Sequence, residues 1–249
     1  MDKSGLLLCA KYAVSPNFFG YCGPNRNRAL VDHLVEKVAD WELENILSGF
    51  ETLFPYLKLI AKKNKIINPF DFKVVEAYWI GNLFLKPVTS LEYQALAKEK
   101  LFLDKKIDLE SLGLLNFKIK KFQFFPHHNF HVFNIFRRTG KDFSFHTIST
   151  MDECRIGFGK IIGFEYQKEK VKHLKVETRP LIVVNNKLRL DEPTVRLIKI
   201  DYYGKRLSDD FQLGRWISFH WGFFCDCLTT TQVRNLDYYT KKAIDFYNL

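Results

Sequence analysis

The sequence predicts an α+β protein in which a helical N-terminal part precedes a small β-barrel and a closing helix. Three observations carry this. Before residue 115, apolar residues recur at three- and four-residue intervals, the period of a helix with one buried face. From residue 154 onward, short β-branched and aromatic runs alternate with turn formers. At Thr229 the chain returns to helical spacing behind a threonine cap. The chain therefore divides into a helical domain over 1–115, His-rich connecting strands over 116–153, and a barrel plus C-terminal helix over 154–249.

Taken in order, DKSGLLLCAKYAV reads as a first helix rather than a signal peptide, because it has little basic flank and no small-residue cleavage pattern. Residues 25–64 continue the helical period, and Pro55 should kink or divide that stretch by removing a backbone donor. Asn68 suits an N-cap with Pro69 as the first helical residue, and Thr89 or Ser90 caps the next helix. This gives five or six helices before residue 115. FKIKKFQFF then alternates apolar with basic residues, and FHVFNIF is β-branched and aromatic, so both read as strands. Beyond residue 154 the strands are carried by CRIGFGKIIGFEY, KHLKVETRPLIVVNN, KLRLDEPTVRLIKIDY and GRWISFHWGFF, with Asn185-Asn186 as a turn.

Composition narrows the function classes. Of 249 residues, 47% are hydrophobic and 24 are Phe, enough for a substantial core. No apolar run is long enough for a membrane span. The net charge of +10 permits an acidic partner or nucleic acid, but the lysines are scattered in short clusters, which reads as a solvated surface. Five cysteines, widely spaced, predict reduced thiols in a cytoplasm. Cys225-Asp226-Cys227 lacks the two-residue spacer of a zinc ribbon and is a weak metal signal.

Chemistry concentrates in FFPHHNFHVFNIF, where His127, His128 and His131 fall within five positions. On a strand, His127 and His131 share a face with Asn129 while His128 points away. On a helix, His127 or His128 joins His131. Either arrangement supplies two imidazole ligands, and the alternative is that the rings pack beside Phe124, Phe125 and Phe130. Glu76 lies on an otherwise apolar helix and needs a buried partner, for which one of these histidines would serve. FGYCGP is rich in turn formers; it either fixes how two helices meet or presents Tyr21 or Cys22 to a cleft. Phosphate-cradling glycine loops, HExxH and a serine nucleophile elbow do not occur.

A second constellation opens at Cys154 and closes at His220, a thiol and an imidazole that can meet where a small barrel closes. Cys154, Gly159, Lys160 and Ile161, with Gly214, Trp216, Ile217, Phe219, His220, Gly222 and Phe223, resemble the two conserved ends of the HypC/HupF family of hydrogenase maturation chaperones. The resemblance implies an OB-like (HypC-like) barrel, Cys154 as an iron-binding thiol and His220 as its partner. It also implies contact with hydrogenase maturation proteins or the hydrogenase large subunit. In that family the cysteine opens the chain, whereas Met151-Asp152-Glu153 stand directly before it here. The whole chain also resembles an uncharacterised bacterial family. That likeness rests on Gly20-Tyr21-Cys22-Gly23-Pro24, Pro55-Tyr56-Leu57, the run Val75 to Asn82, and Pro126-His127-His128 with Phe130-His131-Val132-Phe133.

The leading expectation is thus an accessory or chaperone-like protein for metalloenzyme maturation that holds iron through Cys154 and His220, with the histidine cluster as further ligands. The rival is a metal-dependent enzyme built on His127, His128 and His131 with Glu76 or His146. A weaker alternative is a single-stranded nucleic-acid binder, since an OB-like barrel and a basic chain suit that role.

Overall fold

The computed structural model describes residues 2–102, 108–135 and 147–249. Helix α1 (Lys3–Phe18) is central. Its run Leu6, Leu7, Leu8, Cys9, Ala10 is apolar nearly all round, and such a helix is stable only when surrounded. It packs on α2 (Asn27–Glu36), α3 (Trp41–Ser48) and, beyond α4 (Leu53–Lys63), on α5 (Phe72–Trp79). Asp2 caps α1 through the Ser4 and Gly5 amides, and its other carboxylate oxygen takes the Phe72 amide at 2.8 Å, joining the starts of α1 and α5. A short 3₁₀ turn, Leu83–Leu85, leads to α6 (Ser90–Glu99), which Thr89 opens with a full capping box to Glu92.

Several local expectations meet the structure differently. The division at Pro55 exists, but α3 ends at Ser48 and Pro55 falls in the first turn of α4, where its missing N–H costs nothing. Asn68 does not cap a helix; its Oδ1 accepts the Phe70 amide at 2.9 Å in a local turn, and Asp71 caps α5. Where the sequence predicts strands over 116–136, the described residues form two helices joined by an irregular stretch at 122–127. In α7 (Leu109–Lys121), Asp108 caps the start, and Leu115 and Ile119 form the buried i, i+4 stripe while Phe117 stays exposed. In α8 (His128–Asn134) every residue is buried, so packing on all sides outweighs the strand preference of its aromatics. Helix α9 (Ile148–Cys154) follows, with Thr147 as its cap.

The β part begins with β1 (Gly157–Gln167) and β2 (Lys170–Thr178). The hairpin β3 (Leu181–Val184) to β4 (Lys187–Leu190) turns at Asn185-Asn186, both at positive φ, as the sequence predicts. Strands β5 (Thr194–Lys199), β6 (Asp201–Tyr202), β7 (Lys205–Arg206), β8 (Trp216–His220) and β9 (Phe223–Cys227) complete it. Where the sequence predicts a barrel, five strands form one curled sheet in the order β1-β2-β5-β9-β8, and β8 pairs back onto β1. Its thinnest seam is between β5 and β9, which meet in parallel at Lys199 and Phe223.

Inside the curl lie Ile161, Leu174, Val176, Ile198, Ile217 and Phe219. A Cβ on Gly157 would stand 2.2 Å from the Phe219 ring, so only glycine lets β1 approach β8 this closely. Gly157→Ala is expected to cost about 1–3 kcal/mol, read as a lower urea midpoint; an unchanged midpoint would show that the ring yields without strain.

Helix α10 (Thr230–Tyr247), capped by Thr229 and Gln232, packs mainly on α8 and also touches β4. One apolar core runs from α1 through α8 to Leu181, Phe223 and α10, and the cluster inside the curl stands apart from it. No helix among the described residues is long and apolar enough to cross a membrane.

Candidate metal centre

Helix α8 sits where α5, α9 and α10 converge, and this sorts its histidines. His127 is the N-cap: its Nδ1 accepts the Asn129 amide at 3.1 Å, and its ring stacks on Tyr239 of α10. It faces away from the cleft. His128 and His131, one turn apart, line a pocket of about 260 Å³ together with Cys154 and His220. The two constellations therefore meet in one cleft, through two of the three clustered histidines.

Cys154 is placed by the end of α9. Arg155, next to it and only 1% exposed, bonds Asp152 at 2.8 Å and the Arg179 carbonyl at 2.7 Å. Asp152 also accepts the Leu181 amide, and Glu153 pairs with Arg196. The Glu153 carbonyl accepts the Trp221 amide at 2.8 Å, which brings the end of β8, and so His220, beside Cys154. One ligand atom each from His128, Cys154 and His220 falls within 4.8 Å of the others.

The hydrogen bonds fix which ring nitrogens are open. His220 Nδ1 lies 2.8 Å from the Tyr12 carbonyl, which can only accept, so Nδ1 carries the proton and Nε2 a lone pair. That Nε2 is buried in the pocket wall and has no hydrogen-bond partner. His128 Nε2 donates to the Cys154 carbonyl at 2.8 Å, leaving Nδ1 to accept the Tyr78 hydroxyl at 3.2 Å. Burial takes the His220 ring down to about 4 and holds His128 well below its ordinary value, the latter helped by His220 opposite. Both rings are neutral at neutral pH. That disfavours a thiolate–imidazolium couple and suits imidazoles that donate to a metal, His220 through its open Nε2 and His128 through Nδ1 if the Tyr78 hydroxyl gives way. Trp79 packs against both rings, at centroid distances of 4.6 and 5.8 Å, and stacks on Tyr12.

His131 is tied on its far side: its Nδ1 meets the Tyr56 hydroxyl at 2.9 Å, and Tyr56 in turn meets Tyr93 at 2.8 Å. Among the described residues Glu76 pairs with no histidine; Asn82 and Gln232 each donate to it at 3.0 Å. His146 lies outside the described residues.

Two features of the mouth were not drawn from the sequence. Trp221 and Gly222 form the two-residue turn between β8 and β9, both at positive φ. A tryptophan there costs roughly 1–2 kcal/mol over glycine, and it places the indole 4.5 Å from the Tyr21 ring. The signal is the dipeptide Trp-Gly between two strands, where Asn-Gly is the usual choice. The second feature is the wall itself, made of residues from α1, α5, α8 and the loop at 49–53 as well as the strand ends.

The chain matches, over residues 1–249, the family model described as "Family of unknown function (DUF6390)". It belongs to that family. No curated protein and no solved structure matches the chain. The whole-chain likeness to an uncharacterised family is thus borne out, and three of the four motifs that carried it, Gly20–Pro24, the run Val75 to Asn82 and the histidine segment, line the pocket.

Proposed function

We propose that this protein holds a soft divalent metal ion between His128, Cys154 and His220 and serves as an accessory protein in the maturation of a metalloenzyme. The observation that carries this reading is the buried, unpartnered Nε2 of His220, set beside a cysteine and a second neutral imidazole. A buried acceptor without a donor costs free energy that a metal ion would recover. One thiol and two imidazoles favour iron, zinc or a similar borderline ion over magnesium or calcium.

Iron, and a hydrogenase maturation protein or the hydrogenase large subunit as the client, are the finer form of the proposal. The resemblance of residues 154–230 to the HypC/HupF family is what recommends them. The meeting of Cys154 with His220, far apart in the chain, supports that form. So does the curled five-stranded sheet with its thin seam, which is compatible with the partly open barrel of an OB-like fold. The competing enzyme built on all three clustered histidines loses His127, which faces α10, and Glu76, which is held by amides.

Metal analysis of anaerobically purified protein tests the reading. Stoichiometric metal is expected in the wild type and in His127→Asn, which keeps an N-cap acceptor, and it should be lost in Cys154→Ala and His220→Ala. Metal-free wild-type protein, or metal retained without Cys154, would sink the proposal.

A further inference from the structure

We propose that Cys22 supplies a fourth ligand to the ion held by His128, Cys154 and His220, making the centre a dithiolate–diimidazole site. This rests on the metal reading above and deepens it. Three clustered groups leave a tetrahedral ion one position short. The remaining thiol on the pocket wall is Cys22 and the remaining imidazole is His131; both lie outside the 4.8 Å cluster, so either must move inward to complete the ion's shell.

Charge decides between them. Apart from the exposed Glu51, the pocket is lined by neutral residues and contains no lysine or arginine. A divalent ion with one thiolate would leave a net positive charge against apolar and aromatic walls, and an unpaired charge in such surroundings is strongly disfavoured. A second thiolate brings the centre to neutrality, whereas a third imidazole does not.

The loop that carries Cys22 is built to hold it at the pocket. Asn17, 2% exposed at the end of α1, donates its amide to the Cys22 carbonyl at 2.7 Å and to the Pro24 carbonyl at 2.6 Å. Gly20 and Gly23 both take positive φ, and a Cβ on Gly23 would lie 2.5 Å from the Phe50 ring. Tyr21, next to Cys22, lies 4.5 Å from the ring of Trp221, next to His220, and Cys22 and His220 line the same pocket.

Thiol footprinting of the anaerobic, reduced protein with N-ethylmaleimide, with and without Cd(II), tests this by peptide mass spectrometry. Cd(II) should protect Cys22 and Cys154 together. Cys227, half-buried in a different cleft beside Lys11 and Arg215, should label equally in both samples. Protection of Cys154 without Cys22 would overturn the inference and leave the three-ligand site standing. No protection at either thiol would overturn both. As a second measurement, the near-ultraviolet thiolate-to-cadmium absorbance of Cys22→Ser should fall to half that of the wild type, while the metal-free forms of the two proteins unfold alike on heating. Full absorbance in that variant also overturns the inference.

Discussion

Taking chelator-treated protein from about pH 7 to about pH 5 is expected to remove several kcal/mol of stability, read as a steep fall in the urea midpoint. Three histidines are responsible. His127, His128 and His220 are buried as neutral rings. Burial takes His127 down to about 3 and His220 to about 4, and it holds His128 well below the usual range. In an unfolded chain the same rings titrate near 6.5. Because the folded values lie below the unfolded one, the stability is whole above about pH 6.5. It is lost as the pH falls toward the folded values, since the unfolded chain takes up protons that the folded one refuses. Each ring contributes ~1.4 kcal/mol per pH unit in that window. Acting together, three rings consume much of a domain's ~5–15 kcal/mol within about two units. His127→Asn should flatten the slope by a third. A midpoint that stays level from pH 7 to 5 would mean that the rings are not buried as neutral groups.

The same three rings show where sequence reasoning reaches and where it stops. Signals that act within a few residues were legible: the Thr89 and Thr229 caps, the Asn185-Asn186 turn, and the existence of a first helix at α1. Signals that need the rest of the molecule were not. Phe117 and Ile119 alternate with lysines as a strand would, yet Ile119 belongs with Leu115 on a helix whose other face is wet. Three histidines in five positions announce chemistry, but only the docking of α8 among α5, α9 and α10 decides that His127 faces Tyr239 while His128 faces Cys154. Cys154 and His220 were paired from their places at the two ends of a barrel motif. Their alliance with His128 depends on Glu153 and Trp221, whose backbone bond no local pattern reveals.

Asn129→Ala should be among the most destabilising single substitutions in the chain, at roughly 3–5 kcal/mol. Asn129 is fully buried and lies between the two histidines that face the pocket. Its amide donates to the Thr240 hydroxyl at 2.9 Å and to the Ile156 carbonyl at 3.2 Å, and its carbonyl accepts the Ile156 amide at 2.7 Å. One side chain thus fastens α8 to α10 and to the chain entering β1. Alanine would leave both polar groups of Ile156 buried without that partner, at ~1–3 kcal/mol for each unsatisfied group, and would open a small cavity besides. Thr240→Val removes a single bond and should cost only about 1 kcal/mol. Since Ile156 follows Cys154 by two residues and Asn129 follows His128 by one, loosening this joint also separates the thiol from the imidazole. Metal affinity at pH 7 should therefore fall in Asn129→Ala even at temperatures where the variant is fully folded, and stay unchanged in Thr240→Val. Urea unfolding and metal titration of the two variants side by side make the check. A loss below about 1 kcal/mol for Asn129→Ala would mean that water replaces the amide, and the joint would then not be what holds His128 against Cys154.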